Sequence, residues 1–184
     1  MVLPLATDQE LIRRSKNGEE TAFEKLVEAY TPALFAVIRR LTDDDATAEN
    51  IVQEAFWRSW KNLPFYKNDR PFFPYLVTVA VNLRRDEWRN ERWLDFSPLE
   101  DSASGFLDPL PSPEGQVEQN EMISHLAAAI QKLPPAYRLV ISLKYDGELS
   151  YEEISGVLNL PTNTIRTHLH RAKNALRKML TEEN

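Results

Sequence analysis

Apolar residues recur along most of this chain every three or four positions, which is the spacing of one face of an α-helix. The longest such stripe runs from Phe23 to Leu41, and Pro32 within it predicts a kink or a restart after Tyr30. Comparable stripes begin near Ala46, Phe72, Val117, Pro135, Ser150 and Pro161. The hydrophobic pattern therefore predicts an all-α protein.

Start signals precede several of these stripes. The spacing of a capping box, a hydroxyl residue three positions before a carboxylate, occurs at Thr7–Glu10, Thr21–Glu24 and Ser150–Glu153. Three successive aspartates at 43–45 predict a cap for the third helix, 46–61. A metal site at these aspartates is the weaker interpretation, because no alternating pattern of ligands follows them.

One stretch interrupts the helical pattern. Residues 94–117 contain no Lys or Arg, four Pro, and many Ser, Asp and Gly residues. That composition is typical of an extended, flexible linker. The sequence thus predicts two small helical domains, 1–93 and 118–184, joined by a flexible acidic linker.

The charge is distributed unevenly along the chain. The formal net charge is −6, which taken alone argues against a nucleic-acid partner. Residues 61–93 nevertheless carry seven basic and four acidic groups, and residues 162–184 carry five and two. Two separated basic regions suit a protein that contacts a polyanion at two places.

Aromatic residues are concentrated in the first half. Residues 49–93 hold 10 of the 18 aromatic residues, interleaved with Lys and Arg. Phe56, Trp60 and Phe72 fit the predicted core, but Phe65 and Tyr66 lie in a polar loop flanked by prolines, with no helical face to bury them. Exposed rings beside cations can stack on unpaired bases, so both rings are predicted to contact a single strand.

The third predicted helix leaves a polar face outside, with Asn50, Gln53, Glu54, Trp57 and Lys61 on it. Acids, amides and a Trp on one face are typical of a protein-binding surface. On composition alone, an ordinary solvated face has equal weight.

The C-terminal pattern is that of a helix-turn-helix. The capping box at Ser150 opens a short helix, and Asn159 is suited to a left-handed turn before the last helix. The buried stripe of that helix leaves Arg166, Thr167, His170, Arg171 and Lys173 outside. A basic second helix after a tight turn is the form that reads duplex DNA.

Several classes of function are not supported. The chain has no Cys, no apolar run near the length of a membrane span and no secretion signal, so we expect a cytoplasmic protein without membrane insertion. His168 and His170 point about 200° apart on a helix and cannot share a metal ion. No Ser-His-Asp pattern, phosphate loop or pair of catalytic carboxylates occurs, so neither an enzyme nor a cofactor is expected.

The residues resemble a known family, the extracytoplasmic-function (ECF) sigma factors, which are the smallest class of the sigma-70 family. The resemblance is carried by residues 47–60, 70–89, 133–135, 149–154 and 164–172. The last of these alone would fit many regulators, but both halves occur in the family's order and spacing. The family usually has Trp at Tyr75, an aliphatic residue at Arg85, and small residues at Thr162 and Asn163. These departures bear on which promoter is read.

The resemblance implies a bacterial protein that directs core RNA polymerase to promoters, binding duplex −35 DNA and melted −10 DNA, and that an anti-sigma factor holds inactive. It implies polymerase binding by Glu49, Asn50, Gln53, Glu54 and Trp57. It implies −10 binding by Phe65, Tyr66, Lys67, Asn68, Asn82, Arg85, Trp88, Arg89 and Arg92. It implies −35 binding by Asn163, Thr164, Arg166, Thr167, His170, Arg171 and Lys173.

The main rival is a free-standing helix-turn-helix regulator. It would need a dimer interface or an effector pocket, and the pattern of the N-terminal half indicates neither clearly. An enzyme acting on DNA is a more distant alternative.

Overall fold

A computed structural model describes residues 5–67, 71–90 and 116–182. Within those residues the chain is helical, without strands, as the pattern predicted. The α-helices are α1 (Leu5–Lys16), α2 (Glu20–Arg39), α3 (Asp45–Asn62), α4 (Phe72–Asn90), α5 (Gln116–Lys132), α6 (Pro135–Tyr145), α7 (Tyr151–Leu158) and α8 (Thr162–Glu182), and a single 3-10 turn spans Leu63–Phe65.

An aromatic core holds the N-terminal half together. Helix α2 packs between α1 and α3, and α4 packs on α3. The rings of Tyr30 and Phe73 are stacked at 5.2 Å between centroids, and Phe23 meets both Phe56 and Phe72 edge to face. Such pairs add to the stabilisation from burial, so α4 is fixed to the first three helices at its N-terminal end.

The predicted start signals are confirmed at two helices and wrong at two others. Asp44 caps α3 through the amide of Thr47 at 2.7 Å, and the capping box at Ser150 is formed. Helix α1 already begins before Thr7, at Leu5. The cap position of α2 is Glu19, which makes no capping bond, because its carboxylate is bound by the Arg14 guanidinium instead.

Pro32 does not restart α2, so of the two outcomes that the sequence predicted, a kink or a restart after Tyr30, the restart is wrong. The helix runs without a break from Glu20 to Arg39. Pro32 is exposed, so its ring points to solvent, and the preceding hydroxyl of Thr31 donates to the Val27 carbonyl at 2.7 Å. Proline has no backbone N–H, so one hydrogen bond within the helix is lost. A long amphipathic helix tolerates this loss when its buried apolar stripe is intact.

The C-terminal half has the predicted helix-turn-helix. Asn159 ends α7 in the left-handed region, with φ 54° and ψ 46°, which Asn adopts more readily than most residues. The Ser155 hydroxyl donates to the Leu160 carbonyl at 2.5 Å across the turn. Ile154 of α7 and Ile165 and Leu169 of α8 are buried between the two helices. The turn and its packing thus set the angle of α8.

The two halves pack against each other, an arrangement that the sequence left open. Helix α2 contacts α6, and α4 contacts α7. The Ser142 hydroxyl donates to the Val37 carbonyl at 3.2 Å. A Cβ at Gly147 would lie 3.2 Å from Val37 Cγ2, so glycine permits this close approach. The buried apolar residues of both halves form one continuous cluster. The predicted linker lies largely outside the described residues.

Candidate protein- and nucleic-acid-binding surfaces

The outward face of α3 carries the residues that the sequence assigned to it. Glu49, Asn50, Gln53 and Trp57 are exposed, and Glu54 is half-buried. Trp57 is 51 % exposed, and Lys61 Nζ lies 3.5 Å from the centroid of its ring. A large aromatic ring held at the surface by a cation is a typical anchor for a protein partner.

A groove beside this face was not predicted. It has a volume of about 330 Å³ between α2 and α3. Its lining consists of Val27, Thr31, Phe35, Glu49, Val52, Gln53 and Phe56. Glu49 and Gln53 place polar groups beside largely apolar walls, so the groove extends the α3 face onto α2. One residue could have indicated this groove from the sequence, because the large apolar Phe35 lies outside the main hydrophobic stripe of α2.

The structure separates Phe65 from Tyr66, and the prediction that both rings are free is wrong for Tyr66. Phe65 is 83 % exposed, whereas Tyr66 is only 8 % exposed. The Tyr66 ring meets Phe72 edge to face at 5.8 Å and lies 4.8 Å from the Tyr75 ring. A 3-10 turn has three residues per turn, so Leu63 and Tyr66 share the inward side while Phe65 points outward.

The remaining residues assigned to the melted strand are only partly described. Lys67, which precedes α4, and Asn82, ten residues after its first residue, are exposed. Asn68 and Arg92 lie outside the described residues. Arg85, Trp88 and Arg89 continue helix α4, and their side chains lie outside the described part of the chain. Phe65, Lys67 and Asn82 are thus the members whose exposure is established.

Helix α8 presents most of its assigned residues to solvent. Asn163, Arg166, Thr167, His170 and Lys173 are exposed, and Thr164 and Arg171 are half-buried. His168, on the opposite side, is 3 % exposed and lies 5.5 Å from the Tyr137 ring. Burial, and to a lesser extent the Arg171 charge, lower the pKa of His168 below its ordinary 6.5. His168 and His170 therefore point apart, as their spacing predicted.

Two tyrosines that the hydrophobic pattern did not single out support the cations around α8. The Arg166 guanidinium carbon lies 5.6 Å from the centroid of the Tyr151 ring, and Lys144 Nζ lies 5.2 Å from the same ring. Lys173 Nζ lies 5.6 Å from the ring of Tyr145, which is 49 % exposed. Their position in the sequence could have indicated this role, because Tyr145 ends α6 and Tyr151 begins α7, next to a helix predicted to bind DNA.

None of the helices described is long and apolar enough to cross a membrane.

Comparison with known proteins places both halves in one family. The family model for Sigma-70 region 2 matches residues 26–94, and the model for Sigma-70, region 4 matches residues 125–176. The chain is 33% identical over 178 residues to the ECF RNA polymerase sigma factor SigW of Bacillus subtilis (strain 168), covering 93% of this chain and 95% of that protein. It is 30% identical over 180 residues to the RNA polymerase sigma-H factor of Pseudomonas aeruginosa, covering 94% and 93%.

Solved structures show the same fold. CnrH, solved in complex with the cytosolic domain of CnrY, matches with a TM-score of 0.72 at 22% identity, covering 97% of this chain and 99% of that one. The sigma factor RpoE of Bartonella quintana, solved in complex with the anti-sigma factor NepR, matches with a TM-score of 0.64 at 21% identity, covering 88% and 98%.

Proposed function

Because the chain belongs to the ECF sigma factors of the sigma-70 family, which direct core RNA polymerase to promoters, we propose that it does so through three surfaces. These are the α3 face with its groove, the exposed Phe65 with Lys67 and Asn82, and the outer side of α8. The observation that carries the proposal is that each of the three surfaces is exposed and lies in a matched family region. The α3 face and Phe65 lie in the Sigma-70 region 2 match, and the outer side of α8 lies in the Sigma-70, region 4 match. A free-standing regulator is set aside, since region 2 would have no role in it.

The α3 face would bind the polymerase. Glu49, Asn50, Gln53, Glu54 and Trp57 offer acceptors, donors and one aromatic anchor along three turns of a helix whose other side is fixed in the core. The adjoining apolar groove gives an apolar partner side chain a place to be buried. A rigid helix presents such a surface without a large ordering cost.

Phe65 would hold a base taken out of the opened −10 duplex. Its ring is exposed, Lys67 beside it supplies a cation, and Asn82 of α4 supplies an amide for a base edge. Stacking on an aromatic ring contributes roughly 1–3 kcal/mol per base. Asn68, Arg85, Trp88, Arg89 and Arg92 remain assigned to the same DNA by the family resemblance, and Tyr66 is removed from the set.

The outer side of α8 would read the −35 duplex. Arg166, Thr167 and His170 offer groups for base edges, and Lys173 offers one for a phosphate. Asn163 and Thr164 lie at the helix start, and Arg171, about two turns further along, is half-buried. The Tyr151 ring limits the directions that the Arg166 side chain can take.

The remaining parts of the proposal concern organisation and partners. Residues 1–93 form the polymerase and −10 domain, 118–184 form the −35 domain, and 94–117 link them. The protein acts in the bacterial cytoplasm, carries out no chemistry itself, and is held inactive by an anti-sigma factor, as NepR is bound to its own sigma factor.

The test is reconstituted transcription. The purified protein, added to core RNA polymerase, should give run-off transcripts from promoters with matched −35 and −10 elements, and none when either element is scrambled. Binding to promoter duplex without core polymerase, with no transcript when core is added, would instead indicate a free-standing regulator.

A further inference from the structure

We propose that helix α1 positions Phe65 and the start of α4 relative to each other, by holding the chain at Tyr66 through Lys16 and at Phe72 through Asp8. The proposal rests on the function proposed for Phe65. It gives α1, which carries none of the assigned DNA or polymerase residues, a part in capturing the melted strand.

Lys16 restrains the chain at Tyr66, the first of the two positions held by α1. Its ammonium group donates to the backbone carbonyl of Tyr66, fifty residues along the chain, and lies 5.9 Å from the Tyr66 ring. Tyr66 directly follows Phe65, so holding its carbonyl restrains the chain one residue beyond the exposed ring. A hydrogen bond from a charged donor is stronger than one between neutral groups, and here it adds to the restraint from the buried Tyr66 ring and from the 3-10 turn.

Asp8 holds the downstream point. Its carboxylate is 2 % exposed and accepts the Tyr30 hydroxyl at 2.6 Å. It also accepts a hydrogen bond from the backbone amide of Phe72, the first residue of α4, where amides have no partner within the helix. Burial raises the pKa of the Asp8 carboxyl, and the two hydrogen bonds oppose that rise. One side chain of α1 therefore ties α2 and the start of α4 together.

The two points are held by a single helix. Asp8 and Lys16 are eight residues apart in α1, which corresponds to about 12 Å along a helix axis. A helix is rigid over that length, so α1 fixes the separation of the Tyr66 carbonyl and the Phe72 amide together with the packing of the Tyr66 ring on Phe72. A ring held ready for a base avoids the ordering cost that a free loop would incur on binding.

The matched variants are Lys16→Met, which keeps the aliphatic stem and removes the donor, and Lys16→Arg, which keeps a donor. Lys25→Met makes the same change at an exposed lysine of α2. Each is assayed for core polymerase binding, for transcription from a duplex promoter, and for transcription from a template pre-melted at −10.

We expect Lys16→Met to lower duplex transcription about tenfold, the lower end of the effect of losing one hydrogen bond from a charged group. Polymerase binding, the melting temperature and transcription from the pre-melted template should stay close to wild type. Lys16→Arg should recover most of the loss, and Lys25→Met should have no effect. Asp8→Asn should show the same selective defect, with its melting temperature recorded alongside.

A double-mutant cycle with Phe65→Ala separates positioning from general packing. If Lys16 acts through Phe65, adding Lys16→Met to Phe65→Ala should cost little more. Additive losses, equal behaviour of Lys16→Met and Lys25→Met, or a parallel loss of polymerase binding would each overturn the inference. If Phe65→Ala has no effect on promoter opening, the function proposed for Phe65 is wrong. The inference then fails as well, but this outcome differs from one in which Phe65 matters and Lys16 does not position it.

Discussion

Arg40 and Asp146 form an ion pair, with 2.5 Å between Nε and Oδ2, although 106 residues separate them in the chain. The pair joins α2 to α6 and so ties the two halves together. Both side chains are mostly buried, at 30% and 16% exposure, and Asp146 also accepts the Ser142 hydroxyl at 2.8 Å. In such a setting the loss of one partner leaves a charge poorly compensated.

Charge reversal at Arg40 should therefore loosen the contact between the halves. We expect Arg40→Glu to lower the free energy of unfolding by about 1–3 kcal/mol and to increase the radius of gyration measured by small-angle scattering. The double variant Arg40→Glu with Asp146→Arg should recover part of both. Arg39→Glu is the matched control, because Arg39 pairs with Asp45 within the N-terminal half. An unchanged radius for Arg40→Glu would mean that the pair does not hold the halves together.

The polymerase face should be separable from folding. Replacing Gln53, Glu54 and Trp57 by Ala should abolish co-purification with core polymerase, because it removes the exposed anchor and two polar groups of the α3 face, one of which, Gln53, lines the groove. Circular dichroism should show unchanged helical content, since none of the three is in the core. Ala at Glu24, Lys25 and Glu28, on the exposed side of α2, is the control. Polymerase binding by the triple variant would locate the interface elsewhere.

Phe65 and Tyr66 should behave differently although they are adjacent. Phe65→Ala should leave the melting temperature and polymerase binding unchanged, and should impair transcription from duplex promoters more than from pre-melted ones. Tyr66→Ala removes a buried ring packed on Phe72 and Tyr75. It should cost about 3 kcal/mol of stability and reduce every activity of the N-terminal half. Equal melting temperatures for the two variants would contradict this division.

Two cations of α8 should have different roles in DNA binding. Arg166→Ala should relax specificity at one or two base pairs of the −35 element, a loss of roughly 1–3 kcal/mol in discrimination. Lys173→Ala should weaken all duplexes about equally and reduce the slope of affinity against salt by about one unit. Titrations of matched and mutated duplexes at several salt concentrations measure both. Identical behaviour of the two variants would refute these roles.

His168 should make stability depend on pH. Since burial lowers its pKa below the ordinary 6.5, the unfolded chain binds a proton there before the folded one does. Its contribution to stability is therefore complete above pH 6.5. It is lost as the pH falls from there towards the lower pKa of the folded state, by at most about 1.4 kcal/mol per pH unit. His168→Gln should flatten the profile between pH 7.5 and 5, whereas His170→Gln, exposed on the same helix, should not.

The sequence predicted those parts of the fold that local chemistry determines. The cap at Asp44, the capping box at Ser150 and the left-handed turn at Asn159 each depend on a few neighbouring residues, and all three are confirmed. The exposure of Arg166 and His170 followed from the buried stripe of α8. Once the apolar positions define the inward face of a helix, the remaining positions must lie on the outward face.

Features that depend on distant residues were missed. Nothing near Tyr66 indicates burial, because its partners Phe72 and Tyr75 lie beyond the loop and a three-residue turn is too short for a hydrophobic period. The contact between the halves depends on a glycine, Gly147, approaching Val37, and no periodicity reports such a pair.

The contact between Ser142 and Val37 also has a consequence during synthesis. Some 105 residues separate the two, so at a ribosomal rate of about 5–20 residues per second the α2 surface around Val37 waits for roughly 5–20 s before α6 exists. The helices of the N-terminal half can form within microseconds. For those seconds the nascent chain exposes an apolar patch that only its own later residues cover, which makes it a ready substrate for ribosome-associated chaperones.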